Sequence, residues 1–377
     1  MIKPLEISKT MKFIFILGNN PELSKAEIYS VLTNVKSLAE GKDFLVVETE
    51  NIEPKGLIQQ LGGTIKIGRV LGETLEVPVI VEEIMTRNIG GKAKFGFSFY
   101  GVPENRKIGM EVKNALKEKD ISSRLVVSKQ KTLSSVIVTK EKVTDFLVFP
   151  GYLGVTEAVQ DFEEYGFKDF GRPAADAKSG MLPPKLCKMM INLACLEDDD
   201  DTILDPFCGS GTVLMEAMAM GYRKVIGADI SDRAYKDTLT NLAWVKDEFG
   251  LTDANYEVLS ADVRQISSRV QNIQAIVTEP FLGPPMRGVP QLREAQKIAH
   301  DLLKLYVDAF KEFIKILNPG GKVVMVFPEW QVTEGRVAIK IDEEVQEMGF
   351  RRIDDNTLLY KREGQKVQRR IHIFEKV

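Results

Sequence analysis

Three acidic side chains come at or just after the ends of predicted strands in the second half of the chain: Asp205, Asp229 and Asp262. The carboxyl ends of parallel strands share one edge of a sheet, and ligands of α/β proteins bind there. Asp229 lies twenty residues after Gly209, the separation at which an acidic side chain meets ribose hydroxyls. The pattern predicts a ligand cleft lined by three carboxylates. Two simpler roles stay open: Asp229 as a helix cap and Asp262 as a turn residue.

The segment ILDPFCGSGTVLMEA, residues 203–217, joins the first of these strands to a helix. Gly209 and Gly211 lie in the turn, so the backbone can approach a ligand closely. A dinucleotide-binding fingerprint needs a third glycine at position 214, which is Leu214. A nicotinamide dinucleotide is therefore disfavoured, and a glycine-rich turn without any ligand is the alternative.

This segment resembles motif I of class I S-adenosylmethionine-dependent methyltransferases, in the variant of enzymes that methylate exocyclic amino groups. The resemblance implies S-adenosylmethionine as the cofactor. It also implies that Asp205 contacts the methionine amino group, and that Gly209 and Gly211 border the cofactor. Asp262 matches the family position that hydrogen-bonds the adenine amino group.

A second segment, AIVTEPFLGPP at residues 275–285, contains the end of another predicted strand. It is similar to motif IV of amino methyltransferases, usually Asp-Pro-Pro-Tyr or Asn-Pro-Pro-Tyr, and implies a catalytic group of Glu279, Pro280 and Phe281. A nucleobase amine delocalises its lone pair into the ring. The Glu279 carboxylate and the Pro280 carbonyl would accept its N–H hydrogens while Phe281 stacks on the base. Glu279 is longer than the usual Asp and the second proline is missing, so a helix cap or an ion pair is the alternative for Glu279.

The segment AVQDFEEYGFKDFGRPAADAKSGMLPPKLCKMMINLA, residues 158–194, lies upstream of both motifs. It resembles the linker and motif X region of archaeal and related tRNA guanine-N2 methyltransferases that act at tRNA position 10. The resemblance implies that Arg172, Ser179 and Pro183 line the cofactor, with an ordinary polar linker as the alternative. The motifs together imply no metal ligand and the following cofactor-binding residues: Arg172, Ser179, Pro183, Asp205, Phe207, Gly209, Gly211, Thr212, Asp229, Ile230, Asp262 and Val263.

Charge is distributed unevenly along the chain. The net charge is −3, yet Met85 to Asp145 hold thirteen Lys and Arg against six Asp and Glu. A solvated surface of mixed charge is one explanation for this basic segment. The segments FILGNNPELSKAEI (15–28) and SSRLVVSKQKTLSSVIVTK (122–140) resemble the same tRNA enzymes, the latter their THUMP module, which grips the tRNA acceptor end. The resemblance implies that Arg124, Lys129 and Lys131 meet RNA phosphates near a strand edge.

The elements needed to position these residues alternate along the chain. Predicted strands and helices after Met181 require a parallel sheet covered on both faces. We predict an α/β fold with a Rossmann-like class I methyltransferase domain, whose sheet is seven-stranded and mostly parallel, preceded by ferredoxin-like and THUMP α/β units. The predicted domains are a ferredoxin-like unit (1–70), a THUMP RNA-binding domain (71–150), a linker (151–180) and the methyltransferase domain (181–377).

Several local predictions test this arrangement. In the THUMP unit, residues 124–128 and 134–138 are predicted to form strands. Residues 356–361 and 367–374, separated by the turn-prone Glu363-Gly364, are predicted to form an antiparallel hairpin at the edge of the last sheet.

The composition limits the function classes. Of the 377 residues, 44% are hydrophobic and 28% are charged, as in folded globular proteins. No apolar run reaches the length of a bilayer span, so we expect a cytoplasmic protein that does not bind a membrane. Three cysteines and two histidines cannot form a disulfide framework or a tetrahedral zinc site without carboxylates, and they disfavour a Ser-His-Asp triad.

We therefore predict a monomeric tRNA methyltransferase that moves a methyl group from S-adenosylmethionine to the 2-amino group of a guanine. The resemblance points to tRNA position 10 and leaves open whether a small activator subunit is needed, as in some relatives. One alternative is an RNA-binding protein with a methyltransferase fold that has lost transfer activity. Another is a DNA or rRNA amino methyltransferase.

Overall fold

The computed structural model describes residues 10–88, 90–175, 181–286, 288–355, 357–362 and 367–377. The chain divides into two compact units. The first unit comprises residues 1–21, 32–60 and 64–162, and the second comprises residues 22–31, 61–63 and 163–377. Helix α1 (Pro21–Val31) thus belongs to the second unit from Glu22 onward.

The first unit is built on one mixed sheet. Its elements are β1 (Met11–Leu17), β2 (Lys36–Glu40), β3 (Phe44–Thr49), α2 (Pro54–Gln60), β4 (Thr64–Gly72), α3 (Val77–Arg87), β5 (Ala93–Phe99), α4 (Arg106–Glu118), β6 (Ser123–Leu125), α5 (Ser135–Glu141), β7 (Thr144–Phe149) and β8 (Tyr152–Val159). The strand order is β2-β3-β1-β4-β8-β7-β5-β6, so β2 and β6 are the two edges. Helix α4 buries Ile108, Val112 and Leu116 at helical spacing, and the Asn105 side chain caps its first turn.

The prediction of a strand at residues 134–138 is wrong. Residues 135–138 begin helix α5, which the Ser134 hydroxyl caps by accepting a hydrogen bond from the Ile137 backbone N–H. The predicted linker is structured where the model describes it: β8 pairs with β4 and β7 inside the sheet, and α6 (Phe162–Phe170) follows. The predicted boundary at residue 70 falls within β4. The ferredoxin-like and THUMP assignments stay predictions.

The second unit continues from α6. Its further elements are α7 (Pro184–Leu193), β9 (Thr202–Asp205), α8 (Thr212–Ala219), β10 (Lys224–Asp229), α9 (Asp232–Glu248), β11 (Asn255–Ser260), a 3₁₀ helix (Val263–Ser268), β12 (Ile273–Thr278), α10 (Leu292–Ile316), β13 (Leu317–Val332), β14 (Gly335–Ala338), α11 (Asp342–Glu347), β15 (Phe350–Arg352), β16 (Leu359–Tyr360) and β17 (Val367–Lys376). The predicted strands 202–205, 224–229 and 273–278 are confirmed.

The sheet of the second unit has the order β11-β10-β9-β12-β13-β17-β15, with β14 beside β13 and β16 beside β17. The five strands from β11 to β13 are parallel, whereas β17 is antiparallel to β13 and to β15. The predicted α/β class I methyltransferase-like fold is thus confirmed, but the sheet is mixed and has nine strands where seven, mostly parallel, were predicted, because β14 and β16 add antiparallel partners to β13 and β17. The strand order reverses between β9 and β12, so a crevice for ligands lies outside their carboxyl ends.

The closing hairpin differs from its prediction. Strand β16 does pair with β17, but β17 lies between β13 and β15 and is not an edge strand. Its residues Ile371 and Phe374 are fully buried, each in a different hydrophobic cluster of the second unit. The predicted turn at Glu363-Gly364 lies outside the described residues. Among the residues that the model describes, no helix combines the length and apolar character needed to cross a membrane.

Candidate functional site

A cleft of about 750 Å³ lies at the carboxyl ends of β9, β10, β11 and β12. It brings together most of the side chains that the sequence predicted as a site. The predicted residues that line it are Asp205, Phe207, Gly209, Thr212, Asp229, Ile230, Asp262, Val263, Glu279, Pro280 and Phe281. The volume lies within the range of small-molecule sites, which are typically roughly 300–1,000 Å³.

Asp205 is the most buried carboxylate in the cleft, with 2% of the residue exposed. One oxygen, Oδ1, accepts a hydrogen bond from the Thr278 hydroxyl at 2.6 Å and another from the Phe207 backbone N–H at 3.2 Å. Burial raises the pKa of Asp205 to about 7, and the nearby negative charges of Asp229 and Glu279 act in the same direction. A cationic group bound in the cleft would remove this penalty by pairing with the carboxylate.

Two side chains of helix α9 fix the glycine-rich turn after β9 by hydrogen bonds to its backbone carbonyls. The Asn241 side chain donates to the Ser210 carbonyl at 2.8 Å, and the Thr238 hydroxyl donates to the Gly209 carbonyl at 2.7 Å. Gly211 has a φ of +84°, and a Cβ there would lie 3.0 Å from the Thr238 side chain. Gly209, with a φ of +53°, faces open space in the cleft. A ligand can therefore approach the backbone at Gly209.

Asp229 closes β10 and contacts the turn directly. Its Oδ2 accepts from the Gly209 backbone N–H at 3.0 Å, and its Oδ1 accepts from the Ser231 backbone N–H at 2.9 Å. The cap of α9 is Ser231, whose hydroxyl accepts from the Ala234 N–H, so the helix-cap alternative for Asp229 is wrong. Each carboxylate oxygen keeps a further lone pair, which suits hydroxyl donors such as those of a ribose.

Asp262 combines a structural contact with a position in the cleft. It caps the 3₁₀ helix by accepting from the Arg264 N–H at 2.9 Å, and it pairs with the Arg264 guanidinium. These hydrogen bonds from Arg264 lower the pKa of Asp262. The turn-residue alternative is therefore realised, and the side chain must also share its acceptors with any ligand.

Glu279 follows β12 and forms an ion pair with Arg369 of β17. The guanidinium donates from Nε to Oε2 at 2.5 Å and from Nη2 to Oε1 at 3.1 Å. The ion-pair alternative for Glu279 is thus confirmed, and both side chains also line the cleft. A two-point contact of this kind fixes the direction of the carboxylate.

The loop after Glu279 presents an aromatic face to the cleft. Phe281 is 58% exposed, an unusual state for a phenylalanine beside a buried strand. The buried Tyr306 of α10 donates its hydroxyl to the Phe281 carbonyl at 2.8 Å, and this fixes the loop backbone. Gly283 has a φ of +98°, and a Cβ there would lie 2.9 Å from the Ile298 side chain. The loop is therefore packed against α10 while the Phe281 ring stays available for stacking.

Three of the predicted cofactor residues that the structure describes do not line the cleft. Arg172 is buried, and its Nη1 contacts two lining residues, the Thr212 hydroxyl at 2.9 Å and the Met181 sulfur at 3.6 Å. Pro183 precedes α7 and accepts backbone hydrogen bonds from Leu186 and Cys187. Gly211 packs against Thr238. Ser179 lies outside the described residues.

The predicted RNA-binding residues belong to the first unit. Arg124 lies on β6, the edge strand of that sheet, and forms an exposed ion pair with Glu141 at 3.6 Å. Lys129 and Lys131 follow this strand and are exposed. These positions leave the three cations accessible to an anionic partner.

Sequence reasoning missed several residues that shape the cleft, chiefly Arg369, Arg264, Thr278 and Tyr306. The first two are cations that occupy the carboxylates of Glu279 and Asp262. The spacing Asp262-x-Arg264 was a usable signal for one of them. Nothing local marks Arg369, because the identical Arg370 follows it.

The chain is similar to several known methyltransferases. Residues 155–240 match a family described as DNA methylase. A tRNA (guanine(10)-N2)-dimethyltransferase of Methanothermobacter thermautotrophicus is 35% identical over 151 residues, 40% of this chain and 40% of that protein. The match thus spans less than half of that relative. A protein of the same name from Pyrococcus abyssi is 26% identical over 84% of this chain and 88% of its own length.

Two further likenesses extend the comparison. A probable tRNA (guanine(10)-N2)-dimethyltransferase of Methanothermococcus thermolithotrophicus is 33% identical over 125 residues, 32% of this chain and 74% of that protein. The solved structure of TrmN from Thermus thermophilus has a TM-score of 0.52, with 16% identity over 98% of this chain and 100% of that one. At this identity the likeness to TrmN concerns the fold alone.

Proposed function

Because this chain belongs to the family of tRNA guanine-N2 methyltransferases, we propose that it transfers a methyl group from S-adenosylmethionine to the exocyclic 2-amino group of a guanine at tRNA position 10. One observation carries the proposal. The Asp205, Asp229 and Glu279 carboxylates converge on a single cleft at the strand-order reversal of a class I sheet. Its size and its acidic lining fit a cationic nucleoside.

The residues that would hold the methyl donor differ in what they offer. Asp205 has no cation paired with it among the described residues, so burial penalises its charged form, and a ligand ammonium group, here the methionine amine, would relieve that penalty. Asp229, anchored on the Gly209 N–H, would accept from the ribose hydroxyls. Asp262 would accept from the adenine amine with the acceptor capacity that Arg264 leaves. When bound, the donor supplies an electrophilic methyl group on a sulfonium.

The residues after β12 would prepare the acceptor. The guanine 2-amino lone pair is delocalised into the ring, so it is a poor nucleophile until its N–H hydrogens are held by acceptors. Glu279 and the Pro280 carbonyl supply such acceptors, and the exposed Phe281 ring supplies a stacking face. Transfer would form the N–C bond as the S–CH3 bond of the donor breaks, which would leave S-adenosylhomocysteine. The amine would acquire positive charge and then release a proton to water, so no strong base would have to act beforehand.

The first unit would bring the tRNA to this cleft. We propose that it holds the THUMP module, with Arg124, Lys129 and Lys131 against backbone phosphates. Support comes from the local basic excess and from the Pyrococcus abyssi relative, whose likeness covers 84% of this chain. We further propose a cytoplasmic monomer. A requirement for an activator subunit can be tested by adding a cell extract to the purified chain.

The decisive experiment incubates the purified protein with S-adenosylmethionine and an unmodified tRNA transcript. Digestion and mass spectrometry are expected to give N2-methylguanosine or N2,N2-dimethylguanosine, and a transcript with adenine at position 10 is expected to give neither. Methylation of both transcripts would overturn the assignment of position 10. Confirmed cofactor binding without any methyl transfer would overturn the catalytic proposal.

The Arg369–Glu279 ion pair also favours a second candidate, an RNA-binding protein that keeps the cleft without transferring methyl groups. In that case the only role of the Glu279 carboxylate is to pair with Arg369. Replacement by alanine, Glu279→Ala, separates the two functions. Loss of methylation with unchanged tRNA binding supports the enzyme, whereas no methylation by either protein supports the binding protein. Competition between tRNA and duplex DNA tests the remaining alternative, a DNA amino methyltransferase, which the DNA methylase match favours.

A further inference from the structure

Arg369 presents a hydrogen-bonding edge to the cleft that its pairing with Glu279 does not use. One edge of the guanidinium, Nε with Nη2, donates to the two carboxylate oxygens. The two side chains are only 10% and 15% exposed, and both line the cleft. Their geometry is therefore fixed by packing as well as by the ion pair.

Hydrogen-bonding capacity remains on both partners. A guanidinium has five N–H donors, and each carboxylate oxygen accepts more than one hydrogen bond. Nη1 of Arg369 has no partner among the residues that the structure describes, and Nη2 uses one of its two hydrogens for Glu279. Oε1 of Glu279 and Nη2 of Arg369, 3.1 Å apart, thus form an acceptor directly beside a donor.

We propose that Arg369 is a specificity-determining residue that reads O6 of the target guanine, an inference that rests on the proposed function. Guanine carries the N1–H donor directly beside the O6 acceptor. Oε1 of Glu279 accepts from N1–H while Nη2 of Arg369 donates to O6. The 2-amino group, on the carbon next to N1, then donates one hydrogen to the Glu279 carboxylate as well and the other to the Pro280 carbonyl, beside the Phe281 ring. Arginine is suited to this role because its planar fork contacts two partners at once.

A purine with an amine at position 6 reverses the order of donor and acceptor at N1 and position 6. In 2,6-diaminopurine, N1 is an acceptor and the 6-amino group is a donor, while the reactive 2-amino group is kept. In the same register its 6-amino group meets Nη2, and its N1 meets Oε1, so donor faces donor and acceptor faces acceptor. A site built around a hydrogen bond rejects a ligand that leaves its polar groups unpaired.

The next residue of β17 supplies a matched control. Arg370 donates from Nε and Nη2 to Glu329 at 2.9 and 2.6 Å, and these side chains are 12% and 6% exposed. The pair has the same chemistry and similar burial, but it joins β17 to β13, whereas Glu279 follows β12. Neighbouring residues of a strand also point to opposite faces. Neither Arg370 nor Glu329 lines the cleft.

The test compares tRNA carrying guanine with tRNA carrying 2,6-diaminopurine at the target position. The ratio of kcat/KM for the two substrates is measured for the wild type, Arg369→Lys and Arg370→Lys. The wild type is expected to prefer guanine about 10- to 100-fold, the usual value of one good base contact. A lysine at 369 keeps a charge near Glu279 without the fork, so the ratio is expected to fall toward parity. Arg370→Lys is expected to keep the wild-type ratio.

The outcomes distinguish a failure of this inference from a failure of the proposed methyltransferase function on which it rests. Equal use of the two bases by the wild type overturns the role of Arg369 without any variant and leaves the methyltransferase proposal intact. An unchanged ratio in Arg369→Lys overturns it as well. No transfer to guanine by the wild type overturns the proposed function and this inference together. A lowered ratio in Arg369→Lys, with unchanged affinity for tRNA and for S-adenosylhomocysteine, supports O6 recognition over a purely structural role.

Discussion

Asp205 ends β9, Glu279 follows the neighbouring strand β12, and both side chains line the same cleft. Their negative charges are nevertheless balanced in different ways. Asp205 accepts from a hydroxyl and a backbone N–H, and burial raises its pKa to about 7. Glu279 lies against the Arg369 guanidinium. The β9 end of the cleft therefore needs a cation that a ligand must bring. The β12 end already holds both signs and can offer donors and acceptors to a neutral base.

Burial alone does not create this difference. In the first unit Asp145 is fully buried, but it accepts from Lys66 Nζ at 2.6 Å, from the Ser98 hydroxyl at 2.7 Å and from the Thr156 hydroxyl at 3.0 Å. Its acceptors are occupied by the protein itself, as expected of a structural buried charge. A buried carboxylate indicates a binding site only where a cleft reaches it and its charge is not balanced internally.

Glu279→Gln is expected to have the largest effect on activity. Loss of the carboxylate weakens the acceptor that holds the target amine, so single-turnover methylation should slow roughly 100- to 1000-fold, as when one preorganised catalytic hydrogen bond is removed. Breaking the buried pair also leaves Arg369 without its partner and should lower the free energy of unfolding by about 3 kcal/mol.

Glu329→Gln is the control that sharpens this comparison. It breaks the pair with Arg370, the next residue of β17, and a longer contact with Arg336, and should cost at least a similar amount of stability. Because Glu329 does not line the cleft, the methylation rate of the folded protein should not change. Equal rate losses in the two variants would mean that the Glu279–Arg369 pair only stabilises the sheet and has no direct role in methyl transfer.

Asp205→Asn is expected to lower the affinity for S-adenosylhomocysteine about 100-fold, because the ligand amine loses its charged partner. In the wild type the carboxyl must be ionised to hold that amine. Wild-type affinity should therefore fall about tenfold for each pH unit below pH 7, whereas the variant should lose this dependence. Calorimetric titration between pH 5.5 and 8.5 measures both. A wild-type pH profile in the variant would remove Asp205 from the donor site.

The same residue links stability to pH in the ligand-free protein. The folded pKa of Asp205 lies above its ordinary value of 3.8, so the native state binds the proton more tightly. Stability should fall as pH rises between these values, by about 1 kcal/mol per pH unit. Burial raises the pKa of Glu27 to about 7 as well, and it acts with the same sign. The difference between the wild type and Asp205→Asn in urea unfolding isolates the Asp205 part.

The sequence predicted the strands of the site well because each is a short apolar run closed by a turn residue. β9, β10 and β12 end at Asp205, Asp229 and Thr278, as predicted. The glycine-rich turn was equally legible, since its spacing is local. Cleft residues supplied by these three strand ends were thus accessible to sequence reasoning.

Features that depend on strand pairing were not accessible in this way. Whether Arg369 or Arg370 points to the cleft depends on the register of β17 against β13, which decides the face of the sheet on which each side chain lies. The two residues are identical in type, so the sequence does not distinguish them. β17 was predicted at an edge because nothing local reveals that β15 pairs with its far side. Residues 136–138 are all β-branched, which favours a strand, whereas the capping contact of Ser134 stabilises the helix that forms.

Phe281→Ala tests the β12 end of the cleft, where we propose that the neutral base binds. Stacking of a base on an aromatic ring contributes about 1–3 kcal/mol, so kcat/KM for tRNA should fall roughly tenfold or more. The ring is largely exposed, and the unfolding free energy should change by less than about 0.5 kcal/mol. Phe281→Tyr keeps an aromatic face and should retain most of the activity. If alanine and tyrosine behave alike, the ring does not stack on the substrate.

The smallest effect is expected in the first unit, where Lys129→Ala with Lys131→Ala removes two exposed charges near the β6 edge. Affinity for tRNA should weaken a few-fold, and the slope of log affinity against log salt concentration should decrease by about 2, one for each lost phosphate contact. Lys36→Ala with Lys42→Ala removes the same charge at the opposite edge, around β2, and should leave the slope unchanged. Equal slopes in both double variants would assign the RNA surface to a different face, while the cleft carboxylates would keep their roles.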